Sequence, residues 1–282
     1  MIRNLGLVSG SQLNNETNVT PSLSKSLNYR NMKKENLYKY ILGIADNSLI
    51  LGQRLGELCG HGPSLETDIA CTNLSLDLLG QVRSYYQYAA KIVGDGRTED
   101  DIAMLRKERE YVNVLLVEQP NTDFAYSMGR QFLFDVYHLL FLDELQKSTD
   151  ITLSAIAIKS IKEVSYHQRF SSDWIKRLGN GTQESHQRMQ TAIDDLWTYT
   201  DELFHQSEAD IAMVAEGVGV DVTMLKDTYY KKVAEVLEEA TLKIPESKYF
   251  QKGGKHGIHT EHMGYLLAEL QYMQRTYPNM EW

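Results

Sequence analysis

ENLYKYILGIADNSLILGQRLGELCGHGPSLETDIACTNLSLDLLGQVRSYYQYAAKIV, residues 35–93, is the stretch on which the fold turns. Leu37, Ile41, Ile44, Leu51, Leu55 and Leu58 recur at the three- and four-residue steps of a helix that buries one face. The run stops at Gly60-His61-Gly62-Pro63, a strong breaker. Ser64 then caps a second helix, with Glu66 and Asp68 in the first turn, where the helix dipole favours acids. That helix runs to Val93, before Gly94. Two arms of about 25 residues each make a long antiparallel hairpin, the building block of a four-helix bundle.

A second hairpin follows. One helix begins near Thr122 and carries Phe124, Met128, Phe132, Val136, Leu139 and Leu142 to about Lys147; the next is capped by Asp150 and ends at Gly179-Asn180-Gly181. Between the hairpins a linking helix is expected over Thr98–Val117, inside a crossover at 94–121. Further helices are expected over Thr182–Phe204, Glu208–Glu216, Asp221–Leu242 and, after the loop KGGKHGIH, Thr260–Tyr277. The fold class is all-α: a ferritin-like four-helix bundle with additional C-terminal helices, in one domain over 35–282. Residues 1–34, rich in Asn, Ser and Thr, read as a disordered arm or as a mis-assigned start with Met32 as the initiator.

Composition removes several functions. Lys and Arg number 29 against 38 Asp and Glu, a net charge of −9, which argues against a nucleic-acid binder. Two cysteines, Cys59 and Cys71, build neither a CxxC zinc site nor a disulfide framework. No apolar run approaches the roughly 18–20 residues of a membrane span, and the N-terminus shows no signal-peptide core, so a cytoplasmic protein is expected.

Folding each hairpin about its turn tests whether polar residues meet at one depth. With the turns centred at His61–Gly62 and near Thr149, Asp46 falls opposite Asp77 and Asp135 opposite Glu163. All four sit mid-helix among apolar neighbours. One carboxylate per helix at matched depth is what a di-iron carboxylate bundle requires, with a His one turn beyond a Glu on each of two helices. That second requirement fails. Three residues beyond Asp77 stands Gly80, and three beyond Glu163 stands Tyr166; shifting by one gives Leu78-x-x-Gln81 and Val164-x-x-His167, which lose the carboxylates. Asp135-x-x-His138 keeps the spacing, and Glu163 shares a face with His167. No catalytic, cofactor-binding or metal residue is assigned: Asp46, Asp77, Asp135, Glu163, His138 and His167 stand as candidates for a vestigial site or a polar core. Arg54, Arg83, Arg130 and Arg169, on the same helices, are available to neutralise the acids. The run Tyr85, Tyr86 and Tyr88 is expected to pack and hydrogen-bond to a neighbouring helix or subunit.

Five strings carry a resemblance that runs from about Leu37 to Trp282: residues 44–81 of the first hairpin, LLVEQPNTDFAYSMGRQF (115–132), KSIKEVSYHQRF (159–170), RLGNGT (177–182) and GGKHGIHTEHMG (253–264). Together and in this order they resemble the structural C subunits of phenylacetyl-CoA 1,2-epoxidases. The arm at 1–34 departs from that family. The resemblance implies a multicomponent bacterial monooxygenase that epoxidises the ring of phenylacetyl-CoA in phenylacetate degradation. It further implies a di-iron centre in a catalytic A subunit of similar fold, electrons from NADPH through a separate flavin/iron–sulfur reductase, and a C subunit that serves as the structural partner. No catalytic residue carries over, because the matching positions hold Leu78, Gln81 and Val164. Two other readings remain: an independent di-iron oxygenase using the six candidates, and a stand-alone helical bundle without redox chemistry.

The segment KGGKHGIHTEHMG offers His256, His259 and His262 to a metal, or Lys252 and Lys255 to the phosphates of coenzyme A. A simpler reading takes Gly253, Gly254 and Gly257 as turn formers in a structural or interface loop.

Overall fold

A computed structural model describes residues 21–247, 249–278 and 280, with side chains from Arg30 onward. Contacts divide the chain into two units, Met1–Lys33 and Lys34–Trp282. Of the arm expected at 1–34, residues 1–20 lie outside the described residues, and helical backbone begins at Pro21 rather than Glu35.

Among the described residues there are ten α-helices and no strand: α1 (Pro21–Gly56), α2 (Leu65–Val93), α3 (Glu99–Met104), α4 (Phe124–Leu145), α5 (Ile151–Gly179), α6 (Gln183–Leu196), α7 (Glu208–Ala215), α8 (Lys226–Glu239), α9 (Glu261–Leu270) and α10 (Tyr272–Thr276). The fold is all-α, a ferritin-like four-helix bundle of α1, α2, α4 and α5 with additional C-terminal helices. The Ser64 hydroxyl accepts from Thr67 N–H, and Asp150 Oδ1 accepts from Thr152 and Leu153 N–H, so both expected caps start their helices. At α4 the cap is Asp123, one residue after the expected Thr122.

Burial separates the four helices into two kinds. From Tyr40 to Leu51, α1 is buried on nearly all sides, and so is α4 from Ala125 to His138. On α2 and α5 a solvent face remains, and α5 buries Leu153, Ala157, Val164, His167, Ser171 and Ile175 at helical spacing. The sequence Gly179-Asn180-Gly181 ends α5 without a left-handed residue; Gly179 is there because a Cβ would run into Ala240.

The linking helix expected over Thr98–Val117 is mostly not helical. After α3 the chain passes through 3-10 turns at Glu108–Glu110 and Leu115–Glu118, and backbone donors between them go to side chains of other segments. Val112 N–H donates to Asp46 Oδ2 at 2.9 Å, Val114 N–H to Asn47 Oδ1 at 2.8 Å, and Leu115 N–H to Glu202 Oε2 at 2.7 Å. Each buried acceptor competes with the helical ladder for the same N–H, and the ladder loses. Likewise the helix expected to reach Phe204 stops at Leu196 and continues as 3-10 turns, where the Thr200 hydroxyl donates to the Trp197 carbonyl and Glu202 turns inward.

Arg106 closes this arrangement. Its guanidinium donates to both oxygens of Asp46, at 3.0 and 2.6 Å, and to the Glu110 carbonyl at 2.9 Å, with 5% of its surface exposed. The Tyr86 hydroxyl adds a 2.5 Å bond to Asp46. Removing one partner of a buried ion pair leaves an uncompensated charge and costs about 3–5 kcal/mol. Arg106→Met is therefore expected to lower unfolding stability by about that amount in urea denaturation. A loss below about 1 kcal/mol, the range of an exposed pair, would contradict this role.

Candidate functional site

The six candidate residues do not meet as the sequence arithmetic places them. In the first hairpin Gly52 packs against Leu78 and Leu79, the Ser75 hydroxyl donates to the Gly52 carbonyl, and Asp46 reaches Tyr86 rather than Asp77. In the second, Asp135 accepts from Ser171 at 2.8 Å rather than facing Glu163. The second hairpin is thus shifted by eight residues, about two helical turns, and the Asp46 contact in the first by nine. In the first hairpin the cause lies in the turn. The 57–64 loop folds back on α2, where Asp68 takes the N–H groups of Gly60 and Gly62, so α2 overhangs the end of α1. Exposed Leu65 and Ile69 mark that overhang; exposed Ile151 marks the same overhang at the start of α5.

Three separate polar groups replace the single expected cluster. Asp46 is consumed by Arg106, Tyr86 and Val112. Asp135, fully buried, accepts from Gln131 Nε2 at 2.7 Å and from the Ser171 hydroxyl. The third group spans α2, α5 and α4: Asp77 Oδ2 lies 3.0 Å from His167 Nε2, and Glu163 accepts from Gln81 Nε2 at 3.1 Å. His138 interacts electrostatically with His167 and packs against Phe134 with ring centroids 5.2 Å apart. Asp77 keeps 38% of its side chain exposed while His167 is fully buried, so this group runs from the surface into the bundle.

Burial sets the charges inside. It pushes the Asp135 carboxyl up to about 8, only partly opposed by the Ser171 and Gln131 bonds. It drives the His138 imidazole down to about 3, helped by neighbouring His167, so the ring is neutral. His167 is lowered too, by burial against the pull of Asp77. Neither ring nitrogen of His138 has a hydrogen-bond partner, nor has His167 Nδ1. His138 thus lacks the partners that a buried histidine ordinarily finds.

None of the four arginines expected to neutralise the acids does so. Arg54 holds the Glu118 carbonyl and Glu57, Arg83 reaches Glu99, Arg130 holds the Gln119 carbonyl and Asn121, and Arg169 lies over the Tyr166 ring. Arg106, from the crossover, was not among them. Of the three tyrosines, Tyr86 bonds Asp46, Tyr88 bonds Asp150 at 2.5 Å, and the buried Tyr85 hydroxyl has no partner.

Histidines of the 253–264 loop do not converge. His259 Nδ1 lies 2.9 Å from Glu118 and Nε2 lies 3.0 Å from the Tyr111 carbonyl; burial works against its charge, but these acceptors hold it above the ordinary value. His256 instead pairs with His205 at 3.2 Å. A Cβ at Gly254 would strike the Asn113 carbonyl, and one at Gly257 the Arg109 carbonyl, so these glycines let the loop close on the crossover.

The residues present do not fit a di-iron centre. Both Asp46 oxygens are occupied by a guanidinium, Gln81 offers an amide to Glu163, and among the described residues no group of three His, Cys, Asp or Glu could hold a metal ion. No helix among the described residues is long and apolar enough to cross a membrane.

Stability should follow pH with opposite signs at the two buried groups. Asp135 is protonated in the fold up to about 8, whereas the unfolded chain ionises near about 4, so its contribution is full below pH 4 and lost on rising to 8. Relative to Asp135→Asn, the urea midpoint of the parent protein is expected to fall across that window. His138 acts the other way: its contribution is present above about 6.5 and lost as pH falls toward 3. A parent midpoint that rises from pH 4 to 8 relative to Asp135→Asn would contradict the buried neutral carboxyl.

Comparison with known proteins matches residues 22–282 to the family model described as "Phenylacetic acid catabolic protein". The chain is also 49% identical over 246 residues to the C subunit of the 1,2-phenylacetyl-CoA epoxidase of Escherichia coli (strain K12), an alignment covering 87% of this chain and 99% of that protein. Fold, helical order and these matches agree: the chain belongs to the phenylacetic acid catabolic protein family.

Proposed function

We propose that this chain is the non-catalytic structural subunit of a cytoplasmic, multicomponent di-iron monooxygenase that epoxidises the ring of phenylacetyl-CoA. It docks onto a catalytic A subunit of the same fold and stabilises it. On this proposal the di-iron centre belongs to that partner, and NADPH with a flavin/iron–sulfur carrier belongs to a separate reductase.

One observation carries the reading: the bundle keeps its interior acids but spends them on protein partners. Asp46 neutralises Arg106, Asp135 accepts from Ser171 and Gln131, and Glu163 accepts from the Gln81 amide where a ligand set would need a second donor to iron. Apolar surface left uncovered on the isolated chain gives the reading further support. Leu65, Ile69 and Leu76 on α2, Ile151 and Ile158 on α5, and Tyr265 and Tyr272 on α9 and α10 are all exposed. Tyrosine in such positions is favoured at interfaces.

The test is turnover of a reconstituted complex carrying Asp77→Asn or Glu163→Gln in this chain. Both positions are partly exposed, so the fold should tolerate them, and phenylacetyl-CoA turnover is expected to stay within about twofold of the parent. A complex that assembles normally yet loses about a hundredfold or more in kcat would make these carboxylates part of the chemistry.

A further inference from the structure

The unit from Lys34 onward contains a cavity of about 620 Å³ between α1, α4, α7 and the crossover, with His138 of the interior polar group on its wall. That volume lies within the roughly 300–1,000 Å³ of small-molecule sites. Its inner wall is aromatic: Phe134, Tyr137, His138 and Phe141 follow one another along α4. Tyr137 stacks on Phe141 at 5.8 Å between centroids, and Phe134 stands 5.2 Å from His138. This wall accepts a ring-sized apolar group by stacked or edge contacts.

Two features show that the cavity is kept open. Gly43 lines it from the middle of α1, and a Cβ added there would meet no atom within 4 Å. No neighbour therefore demands glycine, although alanine would favour the helix by about 1 kcal/mol. At the inner wall His138 is 97% buried, with neither ring nitrogen bonded. A buried polar group without a partner costs about 1–3 kcal/mol, and His138 bears that cost at the cavity wall rather than being packed into a bonded interior.

Charge at the rim defines the other end of the ligand. Most cations lining the cavity are engaged: Lys39 with Glu35, Arg97 with Asp95, the buried Arg106 with Asp46, and Lys255 with the His205 carbonyl. Arg109, exposed, has no acidic partner among the described residues. Of the lining acids, Glu110 accepts from Lys107 N–H and Asp210 accepts from the N–H of Ser207, the cap of α7, which leaves Glu208. A guanidinium presents paired donors that match a carboxylate.

The geometry points to a binding site in this chain for a small arylalkyl carboxylate, with its ring against Phe134, Tyr137 and Phe141 and its carboxylate at Arg109. The site is separate from the proposed scaffold role and does not depend on it. The ligand needs an apolar body to fill the inner wall and an anionic head for the rim, so a neutral analogue of the same shape binds less well.

The experiment titrates the full-length chain by calorimetry with 4-phenylbutyrate and, separately, with the neutral 4-phenyl-1-butanol. One saturable site per chain is expected, with the acid bound about tenfold or more tighter than the alcohol. Gly43→Phe, whose Cβ would meet no atom within 4 Å, puts a ring into the cavity and should abolish both, while Arg109→Glu, at an exposed position, should weaken the acid about tenfold and leave the alcohol unchanged. No saturable binding at millimolar acid overturns the proposal. So does equal binding of acid and alcohol, or acid binding that survives both substitutions in proteins that melt like the parent. Should Gly43→Phe not fold, the Arg109→Glu comparison decides alone.

Discussion

Asp46 is the constraint on which the rest of the chain is arranged. A carboxylate buried at mid-helix cannot remain unpaired, because desolvation of the charge costs several kcal/mol. In a metal-bearing bundle a cation would meet that need. Here a guanidinium from the crossover does, together with Tyr86 and Val112 N–H. Bringing Arg106 inside takes the crossover off its helical path. Once extended, the crossover offers carbonyls at Arg109, Tyr111 and Asn113, against which the 253–259 loop closes with two glycines and His259. One buried acid thereby couples the first hairpin, the crossover and the C-terminal segment.

The remaining interior polar groups are each solved differently, and the differences matter for chemistry. Asp135 is kept by burial in its neutral form, His138 and His167 are kept neutral as well, and only the half-exposed Asp77 and Glu163 reach water. A metal site needs deprotonated carboxylates converging on one point. These groups are spread along three helices with amides and hydroxyls between them. The proposed scaffold role asks only that the interior be satisfied and the shape be kept, which hydrogen bonds to Gln81, Gln131 and Ser171 accomplish.

Helices with an apolar stripe were legible in the sequence, because periodicity and capping are local properties. Ser64, Asp150 and Thr182 all cap where expected, and the hairpins and their order follow. The depth at which residues meet was not legible. It depends on how the 57–64 loop lies on α2, through Asp68 and the N–H groups of Gly60 and Gly62, and that is a tertiary choice. The crossover misled for a related reason: Val112, Val114 and Leu115 have helical company in sequence but spend their N–H groups on Asp46, Asn47 and Glu202 from elsewhere. One signal was available. Glu118 follows Leu115-Leu116-Val117 and is a lone acid in apolar surroundings, as Asp46 is, whereas Glu202, beside Asp201, gives no such signal. Lone acids of this kind mark buried anchor points as readily as ligands.

Membership of the phenylacetic acid catabolic protein family fixes the biological setting, and the proposed division of labour within it turns on where iron is held. Iron content per chain, measured on this protein expressed alone with iron supplied and again after co-expression with a candidate di-iron A subunit, tests that directly. The account predicts essentially no iron on the chain alone and iron appearing only with the co-purifying complex. About two irons bound per isolated chain, the content of a di-iron bundle, would contradict it.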